Sequence, residues 1–319
     1  MKKNFFDFKN HNKNTDFESK YLNNPVFIVG SGKSGTTLLQ SLLDYHPNLL
    51  VFPVESMYYR EYDKFNLNDI NYRKKFKNYW VNESKFSWMS FQTYTKHSNE
   101  KFRDFSNIDF KIFKKQISKY DFVNHSRVFF YKNLLESFRI SNNKNKNELI
   151  GFVDKTPIHM FYIKDILNDF PNAKIIHMLR NPYDNYLAYR KNALNINNSY
   201  SNNELLNNYF FKYILKSFEI ANQNINNNYK IIKYEDLICE LKSEMIKLSN
   251  WIKIPFSESM LSVSIGGKPW GGNSSSGKQF NGISKNRIGN GITSISAHEK
   301  KIIESELKKL ENNFNYLDI

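Results

Sequence analysis

A glycine-rich turn between a short apolar segment and an amphipathic segment most constrains the fold of this chain. Residues 26–29 read Val-Phe-Ile-Val, a continuous apolar run typical of a strand that is covered on both faces. After the turn, leucines at the spacing of a helix face occupy positions 38, 39, 42 and 43. A strand, a glycine loop and a helix in this order predict an anion site, because backbone N–H groups and the positive helix terminus converge there.

The turn differs from the ATP-binding P-loop at one position. Its spacing is almost that of G-x-x-x-x-G-K-[ST], but Thr36 stands where that motif has its lysine, and the lysine lies earlier, at Lys33. Gly32 and Gly35 permit close approach of the backbone to a ligand. Lys33 can pair with a phosphate or sulfate oxygen, while the threonines add hydroxyl donors at the start of the helix.

Four further apolar runs predict strands, at residues 49–52, 149–153, 174–178 and 229–233. Helical patterns follow at 159–169, 183–191, 203–222 and 239–252, and a charged helix at about 297–312 closes the chain. Strands that alternate with helices predict an α/β fold with a central parallel sheet. Ligands of such sheets bind beyond the carboxyl ends of the strands.

The chain is expected to form one domain over residues 25–319, after a polar arm at 1–24. Residues 56–147 are rich in Tyr, Phe, Lys and Asn, with helical stretches at 109–119 and 126–139. They are expected to form a helical cover and a wall of the site for a second substrate, the acceptor. Residues 262–292 hold most of the later glycines. This segment is too long for an ordinary connection, so it is expected to be either functional or disordered.

Composition narrows the partners and the compartment. A formal charge of +15 favours anionic partners, although a solvated lysine surface explains it equally well. The single cysteine excludes an intramolecular disulfide framework and a multi-cysteine metal site, which suits a reducing compartment. No signal peptide is visible, and no apolar run approaches the roughly 18 residues of a membrane span. A cytoplasmic protein without an integral membrane segment is expected.

The glycine-rich turn resembles the 5′-phosphosulfate loop of sulfotransferases that use 3′-phosphoadenosine 5′-phosphosulfate. The resemblance lies in Lys33-Ser-Gly-Thr-Thr-Leu-Leu and in Asp44-Tyr-His46-Pro. It is strongest to the bacterial and Golgi-type group, which includes tyrosylprotein and glycan sulfotransferases. It implies a P-loop-like three-layer sandwich with a mainly parallel sheet flanked by helices. It also implies that the donor is bound by Gly32, Lys33, Ser34, Gly35, Thr36 and Thr37.

A second segment, at residues 174–190, resembles the 3′-phosphate motif of that family. The motif places Arg-x-Pro at a strand end and a serine eight residues after the arginine. Arg180 and Pro182 match, but the serine position holds Ala188, so one hydroxyl contact to the 3′-phosphate would be missing. The planar fork of Arg180 suits a terminal phosphate.

Two shorter segments extend the resemblance to about residue 260. Asp154-Lys-Thr-Pro resembles the acidic-Lys-x-Pro segment of the family, which implies that Lys155 neutralises charge on the bridging oxygen as the sulfuryl group leaves. Tyr234-Glu-Asp-Leu matches a strand end of the family, and Tyr234 lies either beside the nucleotide or in the core. The residues 262–292 occupy the place of a flexible loop that covers the nucleotide. Among the cations there, Lys278, Lys285 and Arg287, we select Arg287 as the candidate.

The general base is expected to be Glu55, 22 residues after Lys33. In tyrosylprotein-type members a glutamate stands at the corresponding place, one residue closer to the loop. His159 is the alternative base, and a third reading is that Glu55 and Ser56 simply begin the next helix. His46 is expected to be structural and His177 to be a packed core residue. The histidines are too scattered to predict a metal site.

The sequence therefore predicts a sulfotransferase that moves a sulfuryl group from the activated nucleotide to a hydroxyl or an amine, without a metal. A P-loop kinase or NTPase is the alternative, although a Walker lysine is missing. Nucleic-acid binding lacks both an aromatic RNA motif and zinc-finger spacing, so no nucleic-acid partner is expected. The acceptor stays open among glycans, lipid headgroups, small alcohols and peptide tyrosines, and the oligomeric state is not predicted.

Overall fold

A five-stranded parallel sheet forms the centre of the computed structural model, which describes residues 19–64, 70–83, 104–120, 126–223, 226–272, 282–310, 314 and 316. The strand order is β2-β3-β1-β4-β5. The strands are β1 Pro25–Gly30, β2 Leu49–Val51, β3 Gly151–Lys155, β4 Lys174–Leu179 and β5 Tyr229–Lys233. All five predicted strands are confirmed. The third begins two residues later than expected and runs on to Lys155, the residue that the sequence motif singled out.

The helices lie on both faces of this sheet. They are α1 Lys20–Asn23, α2 Thr36–Leu43, α3 Tyr58–Asp63, α4 Ile70–Asn78, α5 Phe110–Ser118, α6 Arg127–Ser141, α7 Ile163–Asp169, α8 Pro182–Ile196, α9 Asn202–Leu205, α10 Lys216–Gln223, α11 Tyr234–Cys239, α12 Leu241–Ile252, α13 Asn290–Ser294 and α14 Ala297–Lys308. A π-helix, Leu206–Leu215, joins α9 to α10, so the predicted helix at 203–222 contains a widened middle. No helix in the described ranges is long and apolar enough to cross a membrane.

Alternation along β1 separates the two layers of the core. Val26 and Ile28 pack with the leucines of α2, and Phe27 and Val29 pack on the opposite face with aromatic residues of the acceptor-side helices. Because both faces are covered, the strand reads as a continuous apolar run. The predicted three-layer sandwich is confirmed.

The amino-terminal boundary differs from the one that the sequence indicates. The described part of the predicted arm, from Ser19 onward, is not an arm, because Tyr21 and Leu22 are fully buried in the core. The Tyr21 hydroxyl donates to the Glu136 carboxylate on α6. Two adjacent apolar residues show no periodicity, so the pattern gave no signal for this short helix. The domain includes at least residue 19, and residues 1–18 lie outside the described residues.

The acceptor-side region is helical where the structure describes it. The predicted helices at 109–119 and 126–139 are confirmed as α5 and α6, and each begins with a capped turn. Asp109 accepts from the Ile112 N–H, and Ser126 accepts from the Phe129 N–H. The role of this region in binding an acceptor stays a prediction.

Candidate functional site

The glycine-rich turn follows β1 and leads directly into α2. Lys33 has φ of 61° and Gly35 has φ of 100°, so both adopt the left-handed conformation, which at position 35 favours glycine. A Cβ atom at Gly35 would also lie 2.6 Å from Cδ2 of Tyr234. The first N–H groups of α2 have no acceptor within the helix and face the end of the sheet where ligands bind.

Helix α8 and helix α10 hold this turn through polar contacts. The Ser31 hydroxyl donates to the side-chain Oδ1 of Asn185 at 2.5 Å, and the side-chain Nδ2 of Asn185 donates to the Gly32 backbone carbonyl at 2.8 Å. The Ser31 N–H donates to the Ser217 hydroxyl at 3.2 Å. A Cβ at Gly32 would lie 2.3 Å from the Tyr189 hydroxyl, so glycine is required there by close packing. These contacts stabilise the shape of the turn.

His177 extends these contacts into the sheet. Its Nε2 lies 2.6 Å from the Ser217 hydroxyl, and its Nδ1 contacts the Tyr229 hydroxyl. Complete burial lowers the pKa of His177 to about 3, so the ring is neutral. The sequence predicted a packed core residue; His177 is buried, and it also supports the turn through Ser217. His46 holds a turn as expected, with Nε2 2.8 Å from the Pro255 carbonyl oxygen.

Arg180 lies at the end of β4, beside the turn. Its guanidinium donates to the Lys33 carbonyl at 3.2 Å and to the Arg287 carbonyl at 3.3 Å, and lies 4.5 Å from the centre of the Tyr234 ring. The side chain is almost fully buried, yet its Nε has no hydrogen-bond partner among the described residues. A buried donor without an acceptor is costly unless a ligand supplies one.

A cleft opens between the turn, Arg180 and the described part of residues 262–292, which we call the glycine-rich segment. Its charged lining residues are Lys33, Arg180 and Arg287, and within the described residues no carboxylate joins them. Burial lowers the pKa of Arg287. Of the predicted donor-binding residues, those that line the cleft are Lys33, Gly35, Thr36, Thr37, Arg180, Tyr234 and Arg287. The cleft is therefore suited to an anion.

Two predicted donor-binding residues do not line the cleft. Gly32 packs against Tyr189, and the fully buried Ser34 donates its hydroxyl to the Ser31 carbonyl at 2.6 Å. Ala188 lines the cleft near Arg180, at the position where the family motif has a serine. Asn192, which the sequence did not single out, accepts from Lys33 Nζ at 3.2 Å.

Glu55 and Lys155 form an ion pair at the same edge of the sheet. Lys155 Nζ lies 3.0 Å from Glu55 Oε1, and the side chains are 3% and 27% exposed, so the carboxylate is the more accessible partner. Lys155 pairs in register with Ile28 of β1, which places it one strand away from the turn. Neither residue lines the cleft itself. Glu55 does not begin helix α3, which starts at Tyr58.

The glycine-rich segment is anchored at both ends by buried carboxylates. Asp44, at the end of α2, accepts from the Gly266 and Gly267 N–H groups at 3.1 and 2.7 Å. Asp184, on α8, accepts from the N–H groups of Gly289 and Gly291 at 2.8 and 2.6 Å. Nothing in the local sequence pattern predicts these contacts. Residues 273–281, including the candidate Lys278, lie outside the described residues, and Lys285 Nζ contacts the Cys239 carbonyl at 3.4 Å on the surface.

The chain is similar to known sulfotransferases in sequence and in fold. A family model described as "Sulfotransferase family" matches residues 25–258. The sulfotransferase domain of the Synechococcus PCC 7002 olefin synthase is similar in fold, with a TM-score of 0.51 and 17% identity over 90% of this chain and 96% of that chain. A sulfotransferase domain from the curacin biosynthetic pathway gives a TM-score of 0.51 and 20% identity over 89% and 96%. A sequence search of curated proteins gave no match.

The family match starts at the first residue of β1 and includes the turn, Lys155, Arg180 and Tyr234. It favours sulfuryl transfer over the kinase alternative. Groups of three or more His, Cys, Asp or Glu side chains that could hold a metal are absent from the described residues. The chain is an enzyme that belongs to the sulfotransferase family.

Proposed function

We propose that this enzyme takes its sulfuryl group from 3′-phosphoadenosine 5′-phosphosulfate bound in the cleft beside Arg180. The observation that carries the proposal is the buried Arg180 Nε, which lacks an acceptor in a cleft lined by three cations. The first N–H groups of α2 offer a second anion site in the same cleft. The residues present therefore fit a ligand with two separate anionic groups.

The chain's own residues divide the work of binding. Arg180 and Arg287 would hold the 3′-phosphate, since the Arg180 guanidinium is already oriented by two backbone carbonyls. Thr36, Thr37 and the adjoining N–H groups would hold the 5′-phosphosulfate. Tyr234 packs on Arg180 and fixes its plane. When bound, the donor supplies an activated sulfuryl group.

Glu55, Lys33 and Lys155 would carry the transfer step. Glu55 removes the proton from the acceptor hydroxyl, whose oxygen forms the new bond to sulfur. The bond between sulfur and the bridging oxygen breaks, and its electron pair remains on the departing phosphate of adenosine 3′,5′-bisphosphate. Lys33 and Lys155 neutralise that charge. For this, Lys33 leaves Asn192 and Lys155 turns from Glu55, which frees the carboxylate to act as a base.

Calorimetric titration tests the donor assignment. We expect tight binding of adenosine 3′,5′-bisphosphate, weak binding of adenosine 5′-monophosphate, and loss of the difference in Arg180→Ala. Preference for magnesium-ATP would instead support a kinase. Near wild-type turnover in both Lys33→Ala and Lys155→Ala would contradict the assigned roles of these lysines.

The acceptor is proposed to be a hydroxyl compound that enters from the side of residues 56–147. The charge of +15 favours an acidic acceptor, among the glycans, lipids, alcohols and peptides that carry a hydroxyl. The single cysteine supports a cytoplasmic location, which cell fractionation would test.

A further inference from the structure

Three side chains hold the backbone that follows Glu55. The Met57 N–H donates to the Thr156 hydroxyl at 3.3 Å, and the Tyr58 N–H donates to the Ser56 hydroxyl at 3.2 Å. The Tyr59 N–H donates to His159 Nε2 at 3.4 Å. N–H groups at the start of a helix have no acceptor within it, so these contacts cap α3. Thr156 directly follows β3 and His159 lies in the 3-10 helix Pro157–Tyr162, about 100 residues further along the chain.

Asp154 orients the two hydroxyl groups of this cap. The Thr156 hydroxyl donates to Asp154 Oδ1 at 2.8 Å, and the hydroxyls of Ser56 and Tyr131 donate to Oδ2. Because each hydroxyl proton points at the carboxylate, the oxygen lone pairs of Ser56 and Thr156 face the backbone N–H groups. Asp154 is fully buried, so water does not compete for it. We call Ser56, Asp154, Thr156 and His159 the Asp154 cluster.

His159 is placed to accept a backbone hydrogen bond and not to take a proton from an acceptor molecule. Its ring is fully buried, and Nε2 must carry a lone pair because it accepts from the Tyr59 N–H. Nδ1 therefore holds the proton; it lies 3.9 Å from Asp154 Oδ1, beyond hydrogen-bond distance, and has no hydrogen-bond partner among the described residues. Burial lowers the pKa of His159 to about 4, outweighing the attraction of the Asp154 and Glu55 carboxylates, and Arg60 lowers it further. The imidazole is neutral at pH 7.

The same cluster sets both members of the ion pair. Lys155 lies between Asp154 and Thr156 on β3, while Glu55 directly precedes Ser56. Met57 has a left-handed φ of 55°, which the cap holds in place. A shift in the cap would move Glu55 relative to Lys155, whose Nζ is now 3.0 Å away. Misplacement of a catalytic group by about 1 Å can lower a rate about a hundredfold.

We propose that the Asp154 cluster positions Glu55 against Lys155 and that His159 is a positioning residue of this cluster, not the general base. The proposal rests on the proposed function in one respect, that Glu55 is the base. It removes His159 as the alternative base and gives the buried Asp154 a role in the reaction.

Two matched pairs of variants test it. His159→Gln keeps an acceptor for the Tyr59 N–H without a titratable ring, whereas His159→Phe keeps the ring shape without an acceptor. Thr156→Ser keeps the hydroxyl, and Thr156→Val removes it. Turnover is measured as adenosine 3′,5′-bisphosphate formed from the donor, in water alone and with a mixture of phenol, glucose and ethanol. Binding of adenosine 3′,5′-bisphosphate checks that each variant is folded.

We expect His159→Gln and Thr156→Ser to stay within about threefold of wild type, and His159→Phe and Thr156→Val to lose about tenfold to a hundredfold. The acid limb of the pH–rate profile should be the same in His159→Gln as in wild type. Loss of turnover and of that limb in His159→Gln would identify His159 as the base and overturn the proposal.

Hydrogen exchange gives a second readout that needs no turnover. The peptide that contains Met57 and Tyr59 should exchange faster in His159→Phe than in His159→Gln, and equal rates would contradict the cap. Glu55→Gln separates this proposal from the proposed function. If Glu55→Gln turned over as fast as the wild type, the assigned base would be refuted. If the unmodified protein did not bind adenosine 3′,5′-bisphosphate tightly, the assigned donor would be refuted. The exchange result would stand in either case.

Discussion

Ala188 offers a gain-of-function test of the 3′-phosphate subsite. It lies on α8, eight residues after Arg180, and lines the same cleft as Arg180 and Thr37. The family motif has a serine here, so Ala188→Ser adds one hydroxyl donor on a backbone that is already in place. We expect this variant to bind adenosine 3′,5′-bisphosphate more tightly than the wild type.

The size of the gain follows from one added hydrogen bond. A hydrogen bond contributes about 1 kcal/mol net, or about 1.5 kcal/mol and more when its partner is charged. These values correspond to a dissociation constant lower by about fivefold to tenfold. A helical serine can also bond back to the carbonyl four residues earlier, at Asp184, which reduces the gain. The helix-propensity cost of about 0.5 kcal/mol acts on free and bound protein alike, so it cancels in the affinity.

Calorimetry at fixed salt, with adenosine 3′,5′-bisphosphate and adenosine 5′-monophosphate as ligands, measures this gain. Only the 3′-phosphorylated nucleotide should gain affinity, by about threefold to tenfold. Ala188→Cys is the matched control, because it adds an atom of similar position with a much weaker donor. An equal gain for both nucleotides, or no gain for either, would refute the placement of the 3′-phosphate beside Ala188.

Further predictions concern the proposed base Glu55, the glycine-rich turn, the anchoring of the glycine-rich segment by Asp184, and stability at acid pH. Glu55→Gln should keep nucleotide affinity and lose about a hundredfold or more in turnover, as steady-state kinetics would show. Gly35→Ala, at φ of 100° with its Cβ 2.6 Å from Tyr234, should lose about 1–3 kcal/mol in the free energy of unfolding by urea. Asp184→Ala leaves the N–H groups of Gly289 and of the buried Gly291 without their acceptor, so the melting temperature and the nucleotide affinity should both fall. The pKa values of His177 and His159, about 3 and about 4, lie below the ordinary 6.5, so the unfolded chain binds more protons in between. The contribution of these histidines to the free energy of unfolding is therefore fully present above pH 6.5. It should fall towards pH 4 by about 1.4 kcal/mol per pH unit for each histidine, and a urea midpoint unchanged between pH 7 and pH 5 would contradict this.

Features written in consecutive residues could be predicted from the sequence. The strands show as apolar runs because both faces of the sheet are covered, and β5 has the predicted bounds, Tyr229–Lys233. The turn at Lys33 and the strand-end Arg180 fall on the cleft because parallel strands bring their carboxyl ends to one edge.

Contacts between distant residues could not be predicted in this way. Asn192 and Lys33 are 159 positions apart, and nothing near Asn192 marks it as a partner of the loop. Asp44 belongs to a segment that resembles the family, but its contacts to Gly266 and Gly267 depend on how the chain folds back more than 200 residues later. Tyr21 falls in a segment that is polar and without a clear period, and its hydroxyl partner, Glu136, lies far along the sequence. Each of these contacts is set by tertiary packing, for which local periodicity carries no signal.

The strand order fixes the distance between the backbones that carry Lys155 and Arg180. β1 lies between β3, which carries Lys155, and β4, which Arg180 directly follows. Two strand spacings therefore separate the backbone at Lys155 from the backbone at Arg180, about 9.6 Å across the sheet. Backbone hydrogen bonds hold this separation, and side-chain substitutions leave it unchanged. Under the proposed roles of Lys155 and Arg180, the sheet therefore sets the spacing between the transferred sulfuryl group and the 3′-phosphate.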